Sequence, residues 1–308
     1  MKTKLWNIGL GIILLLAMVA CEEDITLEIP QGEESLVVEG YIEPGMPPIV
    51  MVTRTLPYFS ESSIDILNSI FVSGADVRIY DGKDTIKLME INLSTLPDSI
   101  AKLLLETFQL SGDLLGGLNI TIYTSIQLFG EVGKTYTLLV EKDKNKLKAR
   151  TTIPEPVKID SVWYEHHPNP TNDSLVIVYF AFHDPPNQDN YYRLYNAREK
   201  EPFYPNPFIS VSDDKLVDGN LIKLNTFRGQ ASGMSFDETY GFFKKGDSVT
   251  VKLCQIDRVH YDFWKTFESS RMSGGPFANP VYILSNVEGG LGVWGGYGAS
   301  FFGLRIPE

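Results

Sequence analysis

Residues 120–128 alternate with a period of two: Ile120, Ile122, Thr124, Ile126 and Leu128 against Thr121, Tyr123, Ser125 and Gln127. Successive side chains of an extended strand point to opposite faces, so this alternation predicts a half-buried strand. The pattern recurs. Ala75, Val77 and Ile79 alternate with Asp76, Arg78 and Tyr80 before a turn at Asp81-Gly82. Tyr136, Leu138 and Val140 alternate before Asp143-Lys144-Asn145, and Leu147, Ala149 and Thr151 continue the hairpin. Residues 35–42 and the β-branched run Ile49–Thr55 add strands upstream.

Further along, Ile159–Tyr164, Leu175–Phe182, Tyr191–Tyr195, Leu221–Phe227, Ser248–Ile256, Pro280–Ser285 and Gly292–Arg305 read as strands. Leu175–Phe182 is almost continuously apolar, as expected of a central strand buried on both faces. Turn signals spaced about eight to twelve residues apart predict a mainly β chain. We expect two antiparallel, sandwich-like domains of immunoglobulin or transthyretin type, with one or two short inserted helices. Ile100, Leu103, Leu104, Thr107 and Phe108 recur at helical spacing after Pro97-Asp98, predicting a helical insertion near 97–109. It either covers one end of the sandwich or contacts a partner. Asp257 stands at an N-cap position ahead of Val259, Phe263, Trp264 and Phe267, predicting a helix near 257–269. The chain of 308 residues is long enough for two cores. The closely spaced prolines of Thr152-Ile153-Pro154-Glu155-Pro156 mark the boundary between domains at 35–153 and 157–308.

The N-terminus addresses the compartment. Lys2 and Lys4 precede an apolar run from Ile8 to Ala20, which ends at Cys21 and meets acid at once. That run is short for a membrane span and reads as a signal peptide over 1–20. Met18-Val19-Ala20-Cys21 resembles the lipobox of bacterial lipoproteins, with Met18 in place of the usual Leu. The resemblance implies cleavage before Cys21 and acylation of its thiol, with 21–34 as a lipidated acidic tether. Glu22-Glu23-Asp24 resembles the export signal of Bacteroidota-type lipoproteins, which implies display on the outer face of the outer membrane. A solvated linker is the plainer reading of the same acids. Loss of residues 1–20 removes two lysines and moves the net charge from −12 to −14. Such an acidic body without a basic block is a poor partner for nucleic acid.

Motifs for chemistry mostly fail on context. Gly290-Leu291-Gly292-Val293-Trp294-Gly295 matches a dinucleotide fingerprint in letters, but a strand rather than a helix should follow it. The six glycines between 289 and 298 fit bulges and close packing under aromatic rings. Gly130–Thr135 ends like a phosphate loop, yet Leu128 replaces the required Gly and a strand follows; it reads as a hairpin turn. His166 and His167 are adjacent on a strand and His260 and Asp262 diverge on a helix, so no metal or other cofactor is expected. Cys254, in an apolar strand, reads as an inert buried thiol. No G-x-S-x-G elbow occurs. The proline-stiffened loop 201–208 makes Phe203, Tyr204 and Phe208 candidate ligand or partner contacts, or plugs for one end of a sandwich. Five Asp-(Ser/Thr)-aliphatic triplets place candidate O-glycosylation at Thr85, Ser99, Ser161, Ser174 and Ser248, by resemblance to Bacteroidota-type envelope proteins. The same pairs also mark turns and caps.

Ser35–Ile42, Val52–Phe59, Asn190–Leu194, Gly246–Leu253, Ile256–Trp264 and Pro276–Gly298 together resemble a lipoprotein family of Bacteroidota called domain of unknown function four-two-four-nine. Its most specific stretches are Pro276–Pro280, Ser285–Gly290 and Gly295–Gly298. The resemblance implies an outer-membrane lipoprotein, often encoded beside TonB-dependent receptors, and supplies no catalytic residues. The expected function is a non-enzymatic accessory or substrate-capture partner of a TonB-dependent transporter, anchored in the membrane through Cys21, with a glycan or peptide as possible ligand. The alternatives are a structural or adhesive envelope lipoprotein and a surface glycan or peptide hydrolase.

Overall fold

β-Branched and aromatic residues at every second position form most of the strands. The structure, a computed structural model, describes residues 34–56, 63–107, 119–230, 237–273 and 281–308. The signal segment, Cys21 and Glu22, Glu23 and Asp24 lie outside the described residues, as do Phe108, Leu114–Leu118 and Pro276–Pro280.

The chain begins with β1 (Leu36–Ile42), β2 (Ile49–Arg54), a short helix α1 (Ile64–Ser69), β3 (Asp76–Tyr80), β4 (Thr85–Lys87) and β5 (Met89–Asn92). Helix α2 (Asp98–Thr107) and β6 (Thr121–Thr124) follow, then the hairpin of β7 (Thr135–Lys142) and β8 (Asn145–Thr152). The later part runs β9 (Ile159–His166), β10 (Leu175–His183), β11 (Tyr191–Arg198), β12 (Tyr204–Pro205), β13 (Val211–Asp213) and β14 (Leu221–Thr226). It closes with β15 (Phe243–Lys244), β16 (Ser248–Ile256), α3 (Arg258–Met272), β17 (Val287–Glu288), β18 (Leu291–Gly296) and β19 (Gly298–Arg305). Among the described residues, no helix is long and apolar enough to cross a membrane.

Two sandwiches result, mainly β and mostly antiparallel. In the first, sheet β18-β1-β2-β6-β5 faces sheet β17-β8-β7-β3-β4. Val38, Val52, Val77, Ile79, Leu138, Val140 and Leu147 fill the space between them. In the second, β14-β10-β15, extended by β9, faces β12-β11-β16-β19, extended by β13. Val178, Phe180, Phe182, Tyr192, Leu194, Val251 and Leu253 form that core. β10 is central, with β9 on one side and β14 and β15 on the other, as its apolar run implies. The β7–β8 hairpin turns through Asp143-Lys144, with Asp143 at φ 54°.

Several details differ from expectation. The strand expected over 120–128 stops at Thr124, and Ile126 is exposed. Residues 130–134 carry the chain from one sheet of the first sandwich to the other instead of closing a hairpin. Residues 281–285 form no strand. Helix α2 buries Ala101 and Leu105 and leaves Ile100 exposed, so its contact face is rotated from the one read off the spacing. It packs over Ile49, Leu93, Ile120 and Ile122. The largest difference concerns residues 287–296, which the sequence reading grouped with 157–308. They pair with the first sandwich: β17 with β8, and β18 in parallel with β1 from Val37↔Leu291 to Ile42↔Gly296. Trp294 is wholly buried in the first core, and its indole N–H donates to the Tyr136 carbonyl at 3.2 Å. Parallel pairing needs a long crossover, and here the chain runs through the rest of the first sandwich and all of the second but β19 before β18 returns beside β1.

Candidate functional site

The strands that build the two cores also decide what their far faces carry. On β1, Val38, Gly40 and Ile42 point into the first core, so Glu39 and Tyr41 point away from it, with Glu43 just beyond. Glu39 lies in register with Met51 on one side and Val293 on the other. On β11, Tyr192 and Leu194 point into the second core, leaving Arg193 and Tyr195 on the reverse face. On β16, Val251 and Leu253 do the same and leave Lys252 and Cys254. The register sets Arg193 opposite Cys254 and Tyr195 opposite Lys252.

These two reverse faces enclose a cavity of about 410 Å³. Helix α3 closes it with His260, Phe263, Trp264 and Phe267, while Phe203 comes from just before β12, Pro205 from β12 and Tyr297 from the β18–β19 junction. α3 is held in place at its start. Asp257 caps it by accepting from the His260 backbone N–H at 2.8 Å, and also accepts from the Thr151 hydroxyl of β8 at 3.0 Å.

Charge is concentrated in this cavity. Lys252 and Glu43 form a buried ion pair at 2.6 Å. Burial, the largest single influence, depresses the Lys252 ammonium, but the charge and hydrogen bond of Glu43 together with weaker neighbouring groups make the net direction upward. The ammonium also sits 5.4 Å from the ring centroids of Tyr195 and Phe203, within reach of cation–π attraction. The Arg193 guanidinium stacks on Trp264 at 3.3 Å and lies 4.9 Å from the Tyr195 ring. It donates through Nη1 to the Tyr297 hydroxyl at 2.8 Å and through Nε to Ser210 Oγ at 3.4 Å. Ser210 in turn donates to the Glu268 carboxylate on α3.

His260 is the least satisfied group. Burial, and then the Arg193 charge, hold its imidazole pKa well below the ordinary range, so the ring is neutral. Among the described residues, neither ring nitrogen has a hydrogen-bond partner, nor does the Trp264 indole nitrogen. The ring packs on Tyr297, 4.9 Å between centroids, and against the backbone of Gly295, where a Cβ would overlap it. Buried polar atoms without partners are uncommon in proteins and costly.

Of the aromatic candidates on the 201–208 loop, only Phe203 reaches the cavity. Tyr204 sits on β12, in register with Asn196 of β11. Phe208 packs on Phe227 and Tyr240 with centroids at 5.0 and 6.2 Å, and remains half exposed. Thr85, Ser99, Ser161 and Ser174 are exposed, whereas Ser248 is half-buried and its hydroxyl accepts from Arg305 at 2.9 Å. Cys254 is buried, and its thiol is pushed up to about 12 by burial. The glycines of 290–298 serve close packing: a Cβ at Gly292 would strike the Val38 backbone, and one at Gly296 the Thr152 carbonyl.

Asp184, Asp214 and Asp218 bring carboxylate oxygens within 4.8 Å of one another. Each is already engaged: Asp184 by the Tyr192 hydroxyl and the Gly219 N–H, Asp214 by the Asn190 N–H and Asp218 by the Asn187 N–H. These bonds lock the turns around β10 and β11.

Sequence reasoning missed Glu39, Glu43, Arg193 and Lys252. The signal was a lone charge in the middle of an otherwise apolar strand, as in Val37-Val38-Glu39-Gly40-Tyr41 or Val249-Thr250-Val251-Lys252-Leu253. Read locally, such a charge belongs on a solvent face.

The model of a family described as Domain of unknown function (DUF4249) matches residues 22–300, a span that includes every wall of the cavity. No curated protein matches the sequence.

Proposed function

Starting from the fact that this chain belongs to the family described as Domain of unknown function (DUF4249), we propose that it is a lipid-anchored outer-membrane protein that captures a small ligand for a TonB-dependent receptor. The observation that carries this reading is the cavity, where buried charges and aromatic rings converge without being fully used by one another. A concave, largely apolar site with a few placed polar groups is the usual form of a small-molecule site.

The groups present suit binding better than bond-making. Cys254 stays protonated, Glu43 is committed to Lys252, and neutral His260 has no nucleophile hydrogen-bonded to it among the described residues. Nucleophilic catalysis needs such a nucleophile–base contact. On this reading the protein is not an enzyme and needs no cofactor. Acyl chains on Cys21 contribute about 0.8 kcal/mol per buried methylene, so two or three chains anchor durably. The acidic residues Glu22, Glu23 and Asp24 direct the anchor to the cell exterior. Tethering near a receptor gives effective concentrations on the order of millimolar, so even a weak binder can deliver its ligand.

The test is purification of the lipidated protein from native membranes in mild detergent. A TonB-dependent receptor and a small molecule released on denaturation are expected by mass spectrometry. Recovery of neither would overturn the proposal and favour the structural or adhesive alternative.

A further inference from the structure

The unused charges in the cavity define the class of ligand, given the capture reading above. Lys252 and Glu43 neutralise each other. Arg193 and Glu39 do not. Arg193 makes two hydrogen bonds, both to hydroxyls, and no ion pair among the described residues. Its Nη2 makes no hydrogen bond there. Stacking on Trp264 fixes the plane of the guanidinium, so its free N–H edge has a set direction. The N–H groups of Nη2 offer charge-assisted hydrogen bonds to a carboxylate.

Glu39 makes no hydrogen bond or ion pair among the described residues; it lines the cavity and keeps an exposed side chain there. Burial raises the pKa of its carboxyl, and the Arg193 charge opposes that rise. The two side chains thus attract each other without touching. Arg193 is buried and, among the described residues, meets the Glu268 carboxylate only through Ser210, so a ligand carboxylate would be its first direct ionic partner. A ligand carrying one charge of each sign would satisfy both at once. Around them, Tyr41, Met51, Phe263 and Phe267 offer apolar surface.

We infer that the cavity takes a zwitterion, an amino acid or very short peptide. Its ammonium meets Glu39, its carboxylate meets Arg193, and its apolar side chain lies on the surrounding rings. A neutral sugar would stack on the same rings but leave both charges unpaired. The volume of about 410 Å³ suits a single small molecule rather than a polymer.

The experiment is titration calorimetry on the full-length protein in detergent, with L-phenylalanine and the dipeptide leucyl-phenylalanine as probes. Each is compared with its N-acetylated, C-amidated and doubly blocked forms. Binding of at least one free probe is expected, with at least tenfold weakening from either single block. Glu39→Gln should abolish the penalty of N-acetylation alone, and Arg193→Gln the penalty of amidation alone. Equal binding by free and doubly blocked forms, or binding by neither free probe, overturns the inference. If a variant fails to fold, the blocked series on the unaltered protein still decides. A native ligand lacking an amine or a carboxylate would refute the zwitterion while leaving capture standing. Recovery of no ligand and no receptor would refute capture itself.

Discussion

Lys252 shows how a single residue can read one way in sequence and act another way in space. Its strand neighbours Val251 and Leu253 enter the second core, so alternation assigns Lys252 to the opposite face. That assignment is correct. The inference that the opposite face is wet is not, because β1 and the residues after it cover it and supply Glu43. A buried ion pair adds little over an apolar pair of similar volume, but removing one partner strands the other charge. Lys252→Met should therefore lower stability by about 3–5 kcal/mol. Lys252→Met combined with Glu43→Leu should recover most of that loss. Urea melts of the two variants decide: if the single variant is no worse than the double, the pair is not sealed from water.

At the scale of elements, β18 carries the clearest agreement and the clearest surprise. The glycines in and around it were legible as sites of close approach, since six of them fall within the ten residues 289–298. What they approach was not legible. Gly292 takes a φ of 110° against the Val38 backbone, and Gly295 lies flat under the His260 ring of α3. A methyl at Gly295 would collide with that ring, whereas at Gly303 on β19 it would meet nothing within 4 Å. Gly295→Ala should cost about 1–3 kcal/mol as overpacking, and Gly303→Ala less than about 0.5 kcal/mol. Thermal melts compare them directly, and equal shifts would mean that α3 does not press on β18. The helices themselves were readable from spacing and caps. Asp257 caps α3 as its position implied, while the buried face of α2 was set by Ile49, Leu93 and Ile120 beneath it.

At the scale of the whole molecule, the pairing of β1 with β18 ties the ends of the described chain together. β17 and β18 complete the first sandwich, and β19, two residues after the end of β18, completes the second. The final segment is therefore shared by both cores. A chain ending at Asn286 should lose slow amide exchange in β7 and β8 as well as in β16, although β7 and β8 lie far from the cut in sequence. Retained protection in β7 and β8 would show that the first sandwich stands without its last strands. The periodicity of each strand, the positions of most turns and the face to which each side chain turns were determined by the sequence alone, because the pleat and the turn are local. The tertiary structure decided which two polar-bearing faces meet, and thereby turned Glu39, Glu43, Arg193 and Lys252 from surface charges into the walls of a cavity. That choice rests on contacts between residues far apart along the chain, which no local period encodes.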